Sequence, residues 1–223
     1  QHQDGHSHVL SSTIPNCLSY DPAFAYEVAV IIKDGIKKMY VDKENYFYYI
    51  TTTNENYEHP PMIEGAEESI IKGMHKIESA ENPDIRLIGS GAILRESIRA
   101  KSILDTYNIK SEVWSVTSFN LLRKDGMEVE RFNQLNPDLD EKISYVEECF
   151  DSKSIPVIAS TDYMRSYAEQ IRPYIKAKYN VLGTDGYGRS DSREMLRGFF
   201  EINASSIVRA SAYSLFKEGT MDK

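Results

Sequence analysis

Three histidines open the chain, His2, His6 and His8, spaced H-x3-H-x-H with Asp4 among them. Imidazoles at that spacing can present nitrogens to zinc, but Asp4 alone stands nearby to complete a ligand set. A metal site is therefore set aside. The cluster offers hydrogen bonds and a charge that titrates near neutral pH, which suits acid–base work on an anionic substrate. The 183–193 segment, Gly-Thr-Asp-Gly-Tyr-Gly-Arg-Ser-Asp-Ser-Arg, is the second dense place. Its glycines permit unusual backbone angles, and Asp191 or Ser192 can cap the next helix. Arg189 and Arg193 could grip a carboxylate or phosphate; equally, Asp–Arg pairs could stitch the loop to its own scaffold. The residues alone leave both readings open. Gly89-Ser90-Gly91 follows an expected strand, as a phosphate loop would, but Leu94 stands where a third glycine is needed. It reads as a tight turn. Cys17 and Cys149 have no paired histidine and are assigned no nucleophilic role. Trp114 and the 15 tyrosines read as packing.

These groups need a scaffold, and the pattern supplies one. Asp21-Pro22 signals a helix start, with Phe24, Val28, Ile31, Ile32, Ile36 and Met39 forming an apolar stripe behind it. Residues 46–53, YFYYITTT, read as a parallel strand covered on both faces. Pro60-Pro61 marks the best boundary. Helices are expected over 64–78, 93–107, 143–150, 163–175, 194–200 and 204–216. Strands are expected over 85–89, 112–117, 155–160 and 179–182. Alternation of this kind implies an α/β fold with a mainly parallel sheet and helices on both faces.

The balance of Lys+Arg 26 against Asp+Glu 34 gives a net charge of −8, which argues against nucleic-acid or anionic-membrane partners. No apolar run is long enough to span a bilayer. Two cysteines make no disulfide framework, so a reducing, cytoplasmic setting is expected. The opening QHQDGHSHVL has no initiator Met and no signal peptide, so the 223 residues are expected to be a fragment.

Several long motifs together resemble one family. Gln1 to His8, Ile14-Pro15-Asn16-Cys17, Tyr20-Asp21-Pro22, Tyr48-Tyr49-Ile50-Thr51-Thr52, Asn54-Glu55-Asn56-Tyr57, Ser160-Thr161-Asp162-Tyr163 and the 183–193 segment carry the likeness. They resemble the homodimeric, bacterial-type pyruvate dehydrogenase component of the pyruvate dehydrogenase complex, over essentially all of this chain and the last quarter of that enzyme. The resemblance implies a transketolase-like architecture, with residues 1–60 ending a pyrimidine-binding domain and 61–223 forming a C-terminal domain. It implies thiamine diphosphate and Mg²⁺, oxidative decarboxylation of pyruvate, and acetyl transfer to the lipoyl domains of dihydrolipoyl acetyltransferase. No Gly-Asp-Gly…Asn segment is present and the activating glutamate belongs upstream. No cofactor-binding residue or metal ligand is thus assigned here, and the chain alone is not expected to hold the cofactor tightly.

Asp4-Gly5-x-x-His8 also resembles a transketolase segment whose Asp and His face the substrate. By that match Asp4 and His8 bind substrate, His8 is the first catalytic candidate and His6 the second. The loop is expected to be polar, with a His8 ring that contributes little to a core and protonates near neutral pH. Asn54 stands where transketolases carry an Arg for a sugar phosphate, which fits pyruvate. The alternatives are another thiamine-dependent enzyme of transketolase type, or an interaction module without catalysis.

Overall fold

The structure is a computed structural model that describes residues 4–150 and 154–220. A short helix α1 (Ser7–Ser11) leads into β1 (Cys17–Tyr20), which pairs in parallel with β2 (Phe47–Ile50). Helix α2 (Ala25–Ile36) connects them and runs on into a π-helical turn, Lys37–Val41. The expected cap at Asp21 is not made. Helix α2 starts later, because the Glu27 carboxylate turns back to accept from the backbone N–H groups of Ala23 and Phe24 at 2.6 and 2.9 Å. Its apolar residues divide between two faces. Ile31 is fully buried against Leu18 and Ile70, while Ile32 and Ile36 are exposed. Strand β2 is parallel as expected but only partly covered.

The expected 64–78 helix is two elements. Helix α3 (Glu67–Lys72) ends at Gly73, whose φ of 117° is a left-handed exit that favours glycine, and β3 (Met74–Glu78) follows. Four further strands are β4 (Ile85–Gly89), β5 (Ser111–Val116), β6 (Val157–Ser160) and β7 (Tyr179–Leu182). Their order is β3-β5-β4-β6-β7; β3 is antiparallel to β5 and the other pairings are parallel.

Side chains alternate across this sheet with the period of two that a pleat imposes. Ile85, Leu87, Val113 and Ile158 meet α4 (Leu94–Thr106) and α9 (Ala204–Glu218) on one face. Ile88, Trp114, Val116 and Val157 meet α5 (Phe119–Leu135), α6 (Tyr145–Phe150) and α7 (Arg165–Glu169) on the other. Pro173 falls in a separate 3-10 turn, Arg172–Tyr174, so the expected 163–175 helix is shorter. Helix α8 (Arg193–Phe199) lies beyond the last strand, capped by the Ser192 side chain. Strand β4 has β5 on one side and β6 on the other, so the chain reverses direction around it. The carboxyl ends of β4 and β6 form the crevice where open α/β sheets place ligands.

Candidate functional site

A cavity of about 260 Å³ opens beside that crevice, lined among others by Asp4, His6, Thr53, Asp162, Arg193 and Arg197. Three distant stretches therefore converge: the histidine segment, the end of β2, and the 183–193 loop leading into α8. The loop is anchored from below. Asp185 accepts from Arg165 through its backbone N–H at 2.9 Å and through Nε at 2.6 Å. Thr184 N donates to the Tyr163 carbonyl at 2.9 Å. The stitched reading of this loop holds for Asp185, while Arg193 points to Asn54 Oδ1 at 2.5 Å. The position where the resemblance lacked an arginine is thus approached by one from α8.

Glu55 gathers the cations. Arg95 Nη2 lies at 2.5 Å and Arg197 Nη2 at 2.7 Å from its Oε2. Burial pushes its carboxyl up, but hydrogen bonds and charge from Arg197 and Arg95 outweigh this and hold it at about 2. Glu96 adds a second acid, 3.5 Å from Arg197. Arg197, which lines the cavity, is thereby tied into a network with Glu55 and Glu96.

The histidine segment is placed differently from expectation. His2 lies outside the described residues. Asp4 accepts from the backbone of His6 and Ser7 at 3.1 and 2.9 Å, and also from the Ser7 hydroxyl. Burial raises the Asp4 carboxyl, yet these bonds bring it below the usual range. His6 is exposed and reaches the cavity wall. His8 does not. It sits on α1 at 0% exposure, stacked on Tyr167 at 4.9 Å, with Tyr163 and Tyr49 edge-on at 4.7 and 5.4 Å. Its Nε2 lies 2.8 Å from Thr51 Oγ1, and its buried Nδ1 has no partner. Burial lowers its pKa to about 4, against a smaller pull from Asp4, so the ring is neutral at pH 7. The expectation that this ring contributes little to a core and protonates near neutrality is corrected by this packing.

Two groups escaped sequence reading as site residues. Asp21 is buried beside Thr51, and Glu27 is a fully buried carboxylate, an acid inside an otherwise apolar stripe. That mismatch was the available signal for Glu27. The Gly89-Ser90-Gly91 turn explains how Asp21 is sealed. Gly91 has φ 48°, and a Cβ there would stand 2.5 Å from Asp21 Oδ2. Gly91→Ala should therefore cost roughly 1–3 kcal/mol through strain and overlap. Urea unfolding of the chain measures it; an unchanged midpoint would show that the turn relaxes freely. Both thiols are pushed up by burial, Cys149 to about 11.

Residues 1–60 match the family described as pyruvate dehydrogenase E1 component middle domain, and 73–203 match the transketolase-like TK C-terminal domain. The chain belongs to the transketolase-like C-terminal domain family. It is 53% identical to the pyruvate dehydrogenase E1 component of Pseudomonas aeruginosa over 227 residues, all of this chain and 26% of that protein. The Escherichia coli K12 protein of the same name is also 53% identical, again over 100% of this chain and 26% of the relative. The motif-borne resemblance to bacterial pyruvate dehydrogenase is borne out, and the chain spans about a quarter of these relatives. A transketolase from Pichia stipitis superposes with a TM-score of 0.70 at 17% identity, covering 98% of this chain and 28% of that one. A split-gene transketolase superposes at 0.62 with 15% identity, covering 96% and 63%. These establish the transketolase-like fold of the chain. Among the described residues no helix is long and apolar enough to cross a membrane.

Proposed function

We propose that this chain is about a quarter of a pyruvate dehydrogenase E1 component. In this reading, residues 1–60 end its pyrimidine-binding domain and 61–223 form its C-terminal domain. The identity of 53% sustained over the whole chain carries the reading. The complete protein would oxidatively decarboxylate pyruvate and pass the acetyl group to the lipoyl domains of dihydrolipoyl acetyltransferase, as a homodimer in the cytoplasm. When bound, thiamine diphosphate supplies the nucleophilic carbon and the electron sink that this chemistry needs. Among the described residues no group of three or more His, Cys, Asp or Glu could hold a metal ion. They do not fit as the holder of the diphosphate and its Mg²⁺, which the other three quarters would provide.

What this chain would contribute is one wall of the site. His6 stands at the cavity as a hydrogen-bonding group that can hold or move a proton. Asp4 fixes the turn that presents it, and His8 braces the turn from behind. Arg193 and Asn54 close the opposite side.

In the complete protein, His6→Ala should lower kcat/KM for pyruvate about 10²-fold, the lower end of the range expected for one acid–base group. Pyruvate-dependent acetylation of a lipoyl domain is the assay. A loss below about threefold, under roughly 0.7 kcal/mol, would remove His6 from the site. A wild-type protein that transferred ketol units between sugar phosphates and ignored pyruvate would establish the transketolase-type alternative instead.

A further inference from the structure

The register of the first strand pair places two polar groups behind the cavity wall. Tyr20 stands opposite Ile50, so the next residues, Asp21 and Thr51, leave the pair side by side. The Thr51 hydroxyl then touches Asp21 Oδ1 at 2.8 Å and His8 Nε2 at 2.8 Å, with the Tyr163 hydroxyl also hydrogen-bonded to it. A third acceptor, the Tyr20 carbonyl, is farther at 3.4 Å. Asp21 Oδ2 and His8 Nδ1 are both buried without a hydrogen-bond partner among the described residues. Buried orphan polar atoms are uncommon and call for a reason.

We propose that Asp21, acting through Thr51, decides which nitrogen of His8 carries the proton, so that the three residues form a buried proton relay. A hydroxyl has one proton to give and lone pairs to receive with. An ionised Asp21 can only accept, so Thr51 donates to it and in turn accepts from His8 Nε2–H. His8 Nδ1 is then a bare acceptor. A proton added at His8 Nδ1 lets Nε2 pass its proton to Thr51 while Thr51 passes its own to Asp21; the protonated Asp21 then donates to Thr51, Thr51 donates to Nε2, and the ring carries its hydrogen on Nδ1. One proton taken up by the relay and stored at Asp21 thus converts His8 Nδ1 from acceptor to donor without leaving the ring charged.

The groups around the relay set where it switches. Burial raises the Asp21 carboxyl to about 7; the hydroxyls of Thr51 and Ser90 oppose the rise, and the charges of Asp162 and Glu27 add to it. His8 faces Asp4 and the rings of Tyr49, Tyr163 and Tyr167, and its own protonation waits until about pH 4. The neutral ring therefore has a wide pH range in which only its tautomer can change. His8 lies on α1, directly after the turn that carries Asp4 and His6, so the relay joins a buried titration to the cavity wall. This inference does not depend on the reaction proposed above.

The test uses the complete protein labelled with ¹⁵N-histidine and sedimented for solid-state NMR, from about pH 5.5 to about 8.5, where histidine tautomers are resolved. The His8 signals are identified by their loss in His8→Phe. The protonated nitrogen should be Nε2 at the alkaline end and Nδ1 at the acid end. Asp21→Asn and Thr51→Val should each abolish the interchange, while Thr51→Ser restores it. The first two changes are nearly isosteric, so either one that folds suffices. A single His8 tautomer across the range in the wild type would overturn the proposal. So would an interchange that persists in Asp21→Asn, since His8 would then titrate with some other group.

Discussion

Replacing Glu27 with alanine is expected to lower the stability of the folded chain by about 3–5 kcal/mol, the cost of breaking a buried, multiply bonded charge. One carboxylate serves four donors. Its Oε2 accepts from Ala23 N and Phe24 N, and its Oε1 from Ser115 Oγ at 2.6 Å and His75 Nε2 at 2.7 Å. The glutamate side chain is fully buried and His75 is 3% exposed, so water cannot take its place. Each stranded donor carries a desolvation penalty of about 1–3 kcal/mol, only part of which relaxation recovers. Glu27 also sits on α2 while His75 and Ser115 sit on β3 and β5. Its removal therefore loosens the first segment from the main sheet as well as uncapping a helix. Glu27→Gln should fall between wild type and alanine, because an amide has one oxygen to accept with. Urea unfolding of both variants decides the matter; a loss under about 1 kcal/mol for alanine would mean that the cluster repacks.

The second large effect is expected at His8, and it is one of packing and protonation. His8→Ala removes a ring held by three tyrosines and should cost about 3–5 kcal/mol, as truncation of a buried aromatic does. His8→Phe keeps most of that contact and should recover more than half of the loss. Acid supplies an independent check. The folded ring titrates at about 4 and the ordinary value is 6.5, so the unfolded chain takes up the proton first as pH falls. The contribution of His8 is whole above pH 6.5 and declines from there down through pH 4, by roughly 3 kcal/mol at most. Stability measured against pH should lose this slope in His8→Phe. If the slope survives, the ring is not the group that resists acid.

Strands β4 and β7 coincide with the ranges read from sequence, because each is a short, mostly apolar run, broken once by Arg86 or Asn180, between charges or turns. Strand β1 was missed for the opposite reason. It is four residues long with a polar Ser19 inside, and its burial comes from β2 and Asn120, far away in sequence. Strand β3 was mistaken for helix because Glu64, Glu67, Glu68, Lys72 and Lys76 run with helix-like charge spacing straight across Gly73. Helix α5 buries only Phe119, Leu122 and Gly126, too thin a stripe to announce itself. The site was legible in residue types and illegible in depth. Histidine chemistry could be anticipated at His6 and His8 alike. Which of them is sealed depends on Tyr49, Tyr163 and Tyr167, contributed by two other segments of the chain.

The turn at Gly89-Ser90-Gly91 spells the beginning of a phosphate loop, and the molecule does bring a carboxyl group to it. That group is its own Asp21, whose carboxyl would collide with any side chain at position 91 and whose carbonyl accepts from Gly91 N at 3.0 Å. A glycine-rich strand-to-helix turn can thus be occupied from within, its vacancy filled by the neighbouring segment. Grafting a nucleotide site onto this scaffold would first require evicting Asp21, and with it the hydroxyl and imidazole that lean on it.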